Sequence, residues 1–433
     1  MTEAAVLLLF AAAILSCVFT GHSVIFALVF GFCLFTGYGL LKGFRLKELV
    51  PMMTRGVKAV AGIALVLALI GMLTGSWRAS GTVARLVSDA AAFITPEWCL
   101  LAVFIFNGML STLIGTSFGT AATMGVISMT MTDAMGISPL LAGGAILSGI
   151  YVGDRCSPVS TSAALVCAVT RTDIYTNMKL MVLSGAVPFA AAAGLYALLG
   201  WLEPGNAVTL DVAGIFRRAF TLDALTFIPA VVLLALVFLK VSIKWTMAAS
   251  IASAALVCAF VQGTPWSDIG RTLITGFASD DPDIARMLSG GGLVSMLPVC
   301  AIILISSTFS GLIEGTGLIS AVKDSIPKLA ARVTPFGAIV ATAFVTAAVA
   351  CNQVLAVMLT NQLCADIRPD RQKMAISLEN SAIVIAPIIP WSIAGAVPIA
   401  TVGAPVLCVA TAFYLWFLPA WQFIVELIDK NRR

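Results

Sequence analysis

Residues 148–166 read SGIYVGDRCSPVSTSAALV, an apolar run that is broken near its middle by Asp154, Arg155 and Pro158. Apolar residues continue on both sides, so the segment 139–170 is long enough to form two half-helices inside a lipid bilayer. Backbone that leaves a helix at membrane depth must be buried in protein or line a water-filled cavity. The segment therefore predicts a polar site inside a membrane protein.

Three other apolar segments are interrupted in the same way. They span 98–132, 336–366 and 376–403, and their breaks are Gly115–Thr120, Cys351–Gln353 and Pro387–Ser392. The breaks contain Gly, Pro, Ser, Thr or Asn, which favour turns and caps over helix interiors. Four such breaks in one chain predict that backbone groups without helical hydrogen bonds come together around one water-filled region.

The composition makes lipid the expected solvent. Of the 433 residues, 60% are hydrophobic and 11% charged, whereas soluble domains carry about 25% charged residues. Uninterrupted apolar helices are predicted at about 4–20, 24–42, 57–75, 178–201, 222–239, 243–262, 293–312 and 404–425. No polar region is long enough for a separate soluble domain, so we predict an all-α polytopic membrane protein.

The second half of the chain repeats the order of features in the first half. Asn352 follows Thr116 by 236 residues, and Ser392 follows Ser157 by 235. An amphipathic stretch precedes the broken segments in each half, at 78–93 and 314–334, and is predicted to lie in the membrane interface. Residues 1–203 are therefore predicted to form a first repeat and residues 204–433 a second.

Charge placement indicates that the two repeats are inverted, because cytoplasmic loops carry an excess of Lys and Arg. The loop between the second and third helices is flanked by Lys42, Arg45, Lys47, Arg55 and Lys58, and its counterpart is acidic at Asp280, Asp281 and Asp283. Both termini are then cytoplasmic. Four plain helices and one broken crossing give five spans per repeat and about ten in all, and each repeat also has one re-entrant hairpin. The basic patch Arg368, Arg371 and Lys373 falls outside on this count, against the rule.

Inverted repeats with paired discontinuous helices are an architecture of secondary transporters, whose solute site lies where half-helices converge. We therefore expect a secondary active transporter of the inner (plasma) membrane. The sequence contains no Walker A motif and no visible nucleophile–base pair, so ATP-driven transport and enzymatic activity are not expected. The expected partners are the lipid bilayer and a small solute or Na⁺ and H⁺, without nucleic acid. The oligomeric state stays open, a homodimer included.

Asp154 is the leading candidate for the site. A charged side chain at the bilayer centre costs roughly 2.5–3.5 kcal/mol, so it is kept there for an ion, a proton or a partner. The alternative is a structural pair with the adjacent Arg155. Glu379, followed by Asn380 in the fourth broken segment, could also carry a proton or bind a cation, or could lie near the interface beside Arg371.

Neutral oxygens at the breaks could complete a cation site, because hard cations prefer oxygen ligands. The candidates are Thr116, Ser117, Ser157, Ser160, Thr161, Asn352 and Gln353. The alternative for each hydroxyl is a hydrogen bond to helix backbone. We expect Na⁺ as the coupling ion and no other cofactor, with Asp154, Thr116, Asn352 and Glu379 as ligands. Trp391, inside the fourth break, could line the same site.

Three blocks of the sequence resemble the NhaC-type Na⁺/H⁺ antiporter family of the ion transporter superfamily. They are GTSFGTAATMG at 115–125, SGIYVGDRCSPVSTSAALV at 148–166 with TDIYTNMK at 172–179, and SLENSAIVIAPIIPWSIAGA at 377–396. The residues that match the family's patterns are Gly153, Asp154, Arg155, Ser157, Pro158, Ser160, Leu378, Glu379 and Pro387 to Trp391. The resemblance covers most of the chain and implies Na⁺/H⁺ exchange, with Asp154 and Glu379 handling the cation or proton.

The chain departs from that family pattern at two positions. Thr161 and Asn380 stand where antiporters of the family commonly have aspartate. The family also includes carriers of organic acids and amino acids, which would tolerate fewer carboxylates. The first interpretation is therefore a Na⁺/H⁺ antiporter. The alternative is a Na⁺- or H⁺-coupled transporter of a small organic solute, such as an amino acid or carboxylate, and a channel or receptor comes third.

Overall fold

The computed structural model describes residues 2–20, 22–91, 93–203, 212–239, 241–317 and 325–431. Every named element in these ranges is a helix. The α-helices are α1 (Thr2–Thr20), α2 (Val24–Leu41), α3 (Leu46–Ala79), α4 (Thr82–Ala91), α5 (Pro96–Ile114), α6 (Ser117–Thr120), α7 (Val126–Ala134), α8 (Pro139–Cys156), α9 (Thr161–Thr170), α10 (Ile174–Leu202), α11 (Val212–Ala219), α12 (Ile228–Phe238), α13 (Ile243–Phe260), α14 (Trp266–Thr275), α15 (Pro282–Leu288), α16 (Leu297–Thr316), α17 (Ile326–Arg332), α18 (Pro335–Ala350), α19 (Gln353–Cys364), α20 (Arg371–Glu379), α21 (Ala382–Ile385), α22 (Ile393–Val402) and α23 (Phe413–Asn431). Short turns of 3₁₀ or π helix join some of them.

Several of these helices suit a bilayer. Four described segments are long and apolar enough to cross one alone, namely Pro96–Ile114, Ile174–Leu202, Ile243–Phe260 and Leu293–Ile313. Two bent pairs, Ala64–Ala79 with Thr82–Ala90 and Arg371–Ile388 with Ile393–Val402, also qualify. Large apolar side chains such as Phe26 and Leu183 remain exposed, as expected where lipid replaces water. The prediction of an all-helical polytopic membrane protein is confirmed at this level.

The first and third broken segments are hairpins, a point that the sequence left open. In hairpin 1 (residues 96–134), Asn107 on α5 donates from Nδ2 to Ser128 Oγ on α7 at 2.8 Å. In hairpin 2 (residues 335–364), the hydroxyls of Thr346 on α18 and Thr360 on α19 share a hydrogen bond of 2.7 Å. Each bond joins residues on opposite sides of a break, so the two arms fold back on each other.

The second and fourth broken segments instead continue beyond their breaks. Helix α8 lies against α5, where a Cβ added to Gly149 would meet Phe104 O at 2.6 Å. The chain then passes through residues 157–160 and resumes as α9. In the fourth segment, α20 and α21 lead through residues 389–392 into α22, with a bend of 53°.

Helices α3 and α16 cross in direct backbone contact at two glycines. A Cβ on Gly56 would lie 2.0 Å from Ser307 O, and one on Gly311 would lie 2.0 Å from Met52 O. Small residues allow this approach, and close packing replaces the hydrophobic effect as the driving force between helices in lipid.

Gly311→Leu is therefore expected to lower the thermal unfolding temperature in detergent, because backbone of α3 occupies the space that the side chain needs. Overpacking typically costs about 1–3 kcal/mol. Gly194→Leu is the matched control, because a Cβ on Gly194 in α10 meets nothing within 4 Å. Equal unfolding temperatures for the two variants would contradict the tight crossing.

Two of the predicted helices have clearly different bounds in the structure. The helix predicted at 57–75 extends over Leu46–Ala79, because its basic first part remains helical with Arg55 and Lys58 exposed. The last helix starts only at Phe413, because Gly403 (φ 74°) ends the preceding helix and a 3₁₀ segment follows. The predicted border at residue 203 adjoins residues 204–211, and the second amphipathic stretch includes 318–324. Both ranges lie outside the described residues.

Candidate functional site

Three of the four breaks line one cavity of about 470 Å³, which we call the central cavity, and the helix that follows the fourth break also reaches it. Its polar lining comes from hairpin 1, the second break and hairpin 2, namely Thr116, Ser117, Asp154, Thr161, Ser162, Asn352 and Gln353. Helix α22 adds its first two residues, and α3 and α16 contribute Arg55, Gly56 and Gly311. The structure thus brings together seven residues from three breaks, six of which the sequence had singled out.

The tips of the two hairpins are built alike. Helix α5 ends at Gly115 in the left-handed conformation (φ 70°), and the Thr116 hydroxyl then accepts the Gly119 N–H at 3.1 Å. Helix α18 ends at Cys351, also left-handed (φ 55°), and Asn352 Oδ1 accepts the Val354 N–H at 2.9 Å. Both side chains therefore cap helices as well as line the cavity, which for the Thr116 hydroxyl is the alternative that the sequence analysis gave.

Asp154 lies in the last turn of α8 and is 2% exposed. Its Oδ2 accepts hydrogen bonds from Ser162 Oγ at 2.9 Å and from Gln353 Nε2 at 3.3 Å. Gln353 Nε2 also donates to Ile383 O at 3.0 Å. The carboxylate is thus held by its own broken segment and by hairpin 2.

The hydroxyls next to Asp154 have structural partners. Ser160 accepts the N–H groups of Ser162 and Ala163 at the start of α9 and donates to the backbone carbonyl of Asp154. Ser157 Oγ donates to Thr112 O at 2.7 Å, which ties the second break to α5. Neither Ser157 nor Ser160 lines the central cavity, whereas Thr161 does.

Arg155 does not pair with Asp154 through a described hydrogen bond or ion pair. Its guanidinium is fully buried and donates to Asn380 Oδ1 from Nη2 at 2.6 Å and from Nε at 3.1 Å. Further bonds reach Ser184 Oγ at 2.9 Å and Tyr414 OH at 3.2 Å. Asn380, a predicted site residue, therefore holds Arg155 and does not line the central cavity.

Glu379 precedes this asparagine and is fully buried. Neither of its carboxylate oxygens has a hydrogen-bond partner among the described residues. It lies close enough to Arg155 and Asp154 to interact electrostatically with both. Glu379 is thus enclosed by protein, and it does not line the central cavity.

Trp391, which the sequence suggested as a lining residue, does not line the central cavity. Its Nε1 donates to Ala348 O at 2.7 Å, and its ring packs edge-on against Phe10 with centroids 6.4 Å apart. Two residues later, Ile393 N–H donates to Cys351 O at 2.9 Å. The fourth break is thereby fastened to the tip of hairpin 2.

Sequence reasoning missed two polar lining residues, Ser162 and Arg55. Ser162 was passed over in favour of its neighbours, although the run Ser160–Thr161–Ser162 offered a hydroxyl at each position. Only the helix phase set by the cap at Ser160 directs Ser162 toward Asp154. Arg55 was used as a topology marker only, because its place on the cavity wall depends on the crossing of α3 with α16.

The oxygen atoms at the central cavity can coordinate a hard monovalent cation. They comprise the Asp154 carboxylate, the Ser162 hydroxyl and the Gln353 amide oxygen, with the hydroxyls of hairpin 1 nearby. Among the described residues, no group of three or more His, Cys, Asp or Glu side chains forms a metal cluster. The chemistry therefore suits Na⁺ better than a transition metal.

Paired discontinuous helices that converge on a buried carboxylate inside a membrane protein define the class of secondary transporters. The sequence profile of the Na⁺/H⁺ antiporter family matches residues 1–166 and 149–425. The chain belongs to this family, which confirms the resemblance.

Proteins with sequences similar to this chain are named for different transported solutes. The malate-2H⁺/Na⁺-lactate antiporter of Bacillus subtilis is 27% identical over 403 residues, 90% of this chain and 84% of the relative. The Na⁺/H⁺ antiporter NhaC of Alkalihalophilus pseudofirmus is 26% identical over 386 residues, 86% and 83% of the two chains. The arginine/ornithine antiporter ArcD of Halobacterium salinarum is 26% identical over 391 residues, 87% and 80% of the two chains.

Proposed function

We propose that this protein exchanges protons for Na⁺ across the inner membrane. The observation that carries the proposal is Asp154, a buried carboxylate at the meeting point of the breaks that accepts hydrogen bonds from Ser162 and Gln353. A cation that replaced these two donors would gain oxygen ligands from both halves of the chain. Membership of the Na⁺/H⁺ antiporter family supports the same function.

Purified protein in liposomes that contain a pH-sensitive dye tests this proposal. An imposed Na⁺ gradient is expected to drive protons in the opposite direction, and protein-free liposomes give the background. If folded protein moves no protons under the Na⁺ gradient, the proposal fails.

We propose that Glu379 carries the proton. A buried carboxylate without hydrogen-bond partners gains most from binding a proton. Because Glu379 interacts electrostatically with Asp154, a cation bound at Asp154 would favour release of that proton, and a proton on Glu379 would weaken cation binding. This reciprocal coupling is what exchange requires.

Glu379→Gln is expected to lower Na⁺-driven proton flux at least about tenfold. Na⁺ binding should persist, but its dependence on pH should flatten, because the competing proton site is gone. Binding of radioactive Na⁺ measured across neutral pH checks this. Glu203→Gln, at an exposed carboxylate after α10, is the control, and an unchanged pH dependence in Glu379→Gln would exclude the proton role.

We propose that residues 1–203 and 204–433 are inverted repeats of five spans each. The hairpin tips support this, since Thr116 (φ −143°, ψ 125°) and Asn352 (φ −144°, ψ 127°) have the same backbone conformation. Ser392 (φ −71°, ψ 142°) precedes its helix in nearly the same backbone conformation as Ser160 (φ −69°, ψ 131°). By geometry the counterpart of Ser392 is therefore Ser160, and not Ser157 as the spacing in the sequence suggested.

We propose that both termini are cytoplasmic. The patch that the sequence count placed outside lies beside the end of the last helix, because Arg368 pairs with Glu426 of α23. One turn later, Lys430 donates to Val333 O at 2.8 Å. With a cytoplasmic C-terminus, Arg368, Arg371 and Lys373 then follow the rule for positive charge.

A second candidate function, coupled transport of a small organic solute, is favoured by Arg55. This exposed residue lines the central cavity and has no ion pair or hydrogen bond from its side chain within the described part of the chain. The cavity volume lies within the range of about 300–1,000 Å³ that is typical of small-molecule sites. A guanidinium binds carboxylates with two parallel hydrogen bonds.

If this candidate is right, millimolar monocarboxylates such as lactate should raise the thermal unfolding temperature of the wild type but not of Arg55→Gln. Lys58→Gln is the matched control, because Lys58 is exposed one turn along α3 but does not line the cavity. If no small carboxylate shifts the unfolding temperature, this candidate is excluded and Na⁺/H⁺ exchange is the remaining function.

A further inference from the structure

A second polar cavity lies beside the last helix. This C-terminal cavity has a volume of about 600 Å³ and is lined mainly by α20 and α23. Its outer lining includes Lys373, Asp429 and Lys430, which are exposed, so the cavity opens to solvent. Its inner lining includes Gln422 and the buried Ser377. A cavity of this volume with a polar lining holds water.

The C-terminal cavity borders the helix that carries Glu379. Helix α20 contributes Gln372, Lys373, Ile376 and Ser377 to its lining, whereas no residue of α20 lines the central cavity. Gln372 and Ile376 precede Glu379 by seven and three residues, a spacing that puts all three on one side of an α-helix. Glu379 therefore follows Ile376 on the same side of α20, one turn or about 5.4 Å further along the axis.

One polar connection runs from the inner end of the C-terminal cavity to the residue after Glu379. Gln422 Oε1 accepts a hydrogen bond from Asn380 Nδ2 at 3.2 Å. Asn380 Oδ1 in turn accepts hydrogen bonds from Arg155, and the charge of Arg155 acts on Glu379. The inner lining is therefore joined by hydrogen bonds to the positive group that interacts with this carboxylate.

A second polar connection starts at Gln372. Its Nε2 donates to Asn177 Oδ1 of α10, and Asn177 Nδ2 donates to Cys167 Sγ of α9 at 3.2 Å. The charge of Glu379 acts on this thiol, so the connection ends close to the carboxylate. Because Asn177 is fully buried, polar groups extend from the cavity into the interior between α9, α10 and α20.

The carboxylate of Glu379 has electrostatic neighbours but no hydrogen bond. The titratable and charged groups that interact with it are Asp154, Arg155 and Cys156 of α8, Cys167 of α9 and Tyr414 of α23. Neither carboxylate oxygen has a hydrogen-bond partner among the described residues. A proton that binds there therefore comes from water, and the water-filled space that α20 borders is the C-terminal cavity.

We infer that protons reach Glu379 through the C-terminal cavity, whereas the cation reaches Asp154 through the central cavity. The inference rests on the proposed role of Glu379 as proton carrier. A hydronium ion in the C-terminal cavity gives its proton to a carboxylate oxygen of Glu379 through intervening water and remains as a water molecule. Proton and cation then enter at different places, and the charge interaction between Glu379 and Asp154 couples their binding.

Thiol labelling at one entrance at a time tests this inference on purified protein in detergent. Val425→Cys places a thiol in the C-terminal cavity, and Val354→Cys places one at the exposed mouth of the central cavity. Each variant is reacted with a bulky maleimide and compared with its own unlabelled form. Wild-type protein treated in the same way accounts for the native cysteines.

The readout is the rate at which Glu379 takes up a proton after a rapid drop in pH. The infrared band of its protonated carboxyl group reports this uptake and is identified by its absence in Glu379→Gln. A label at position 425 should slow the uptake at least about tenfold and leave the binding of radioactive Na⁺ unchanged. A label at position 354 should weaken Na⁺ binding and leave the rate of uptake unchanged.

Gln422→Leu is a second variant that needs no label and serves if Val425→Cys does not fold. It removes the polar group at the inner end of the cavity and should also slow the uptake. Unchanged uptake after complete labelling at position 425, or in folded Gln422→Leu, would overturn the inference, as would slowing by the label at position 354 instead.

The infrared measurement requires neither Na⁺ nor a membrane, so failure of Na⁺/H⁺ exchange would not be mistaken for failure of the proton entrance. If wild-type protein shows no band that Glu379→Gln lacks, the proposed role of Glu379 fails, and the inference fails with it.

Discussion

Asp154→Asn is expected to lower Na⁺-driven proton flux in proteoliposomes by about 100-fold or more. Asparagine has the size of aspartate and can still accept a hydrogen bond from Ser162, but it supplies no negative charge to a cation in a low-dielectric site. Removing one partner of a buried charge pair costs about 3–5 kcal/mol, and each 1.4 kcal/mol is about a factor of ten in affinity.

The matched control for this variant is Asp173→Asn. Asp173 is exposed and caps α10 by accepting the Thr176 N–H at 2.8 Å, so its replacement should keep the flux within about twofold of wild type. Asp154→Glu retains the charge with a longer side chain and should keep part of the activity. Full activity in Asp154→Asn would remove Asp154 from the mechanism.

Arg155→Met is expected to give the largest loss of stability. The guanidinium is buried and connects α8 to Asn380, Ser184 and Tyr414. Removing it leaves several buried polar groups without a partner and takes the nearest positive charge away from Glu379. Breaking a buried charged network of this kind costs about 3–5 kcal/mol. Thermal unfolding followed by size-exclusion chromatography would measure the loss.

The double variant Arg155→Met, Asn380→Leu separates lost hydrogen bonds from lost volume. Replacing both partners by apolar groups removes the unsatisfied amide oxygen, so part of the stability should return relative to the single variant. Arg171→Met serves as control, because Arg171 is exposed in the left-handed position after α9 (φ 56°). If Arg155→Met unfolds at the wild-type temperature, the network contributes nothing.

The positions of the breaks could be predicted because their physical cause is local. Gly115 and Pro158 interrupt apolar runs whose length only a bilayer explains, and caps such as Thr116 follow from neighbouring residues. Asp154 was predicted for the same reason, since an acid inside an apolar segment needs a partner wherever the segment folds. These inferences required no knowledge of which helices touch.

The rest depended on contacts between distant parts of the chain. Whether a broken segment turns back or continues is decided by pairs such as Asn107 with Ser128. The partner of Arg155 is Asn380, 225 residues away, and not the adjacent aspartate. Nothing in the local sequence distinguishes these possibilities, because the same residues satisfy either arrangement.

The departure at Asn380 acquires a physical meaning in the structure. An amide in this position accepts two hydrogen bonds from Arg155 and donates one to Gln422 Oε1 at 3.2 Å. It satisfies the guanidinium without neutralising its charge, so the positive field also reaches Glu379. The sequence showed that Asn380 replaces the aspartate common in the family, but it could not show that this side chain contacts Arg155.

Cys351 makes the two hairpins mechanically unequal. Glycine adopts the left-handed conformation without penalty, as at Gly115, whereas a residue with a Cβ loses roughly 1–2 kcal/mol there. This free energy corresponds to about a tenfold lower population of the left-handed conformation. The tip of hairpin 2 thus stores backbone strain that the tip of hairpin 1 lacks. We expect the first backbone movement of a transport cycle to start at Cys351, because leaving the left-handed conformation releases this strain.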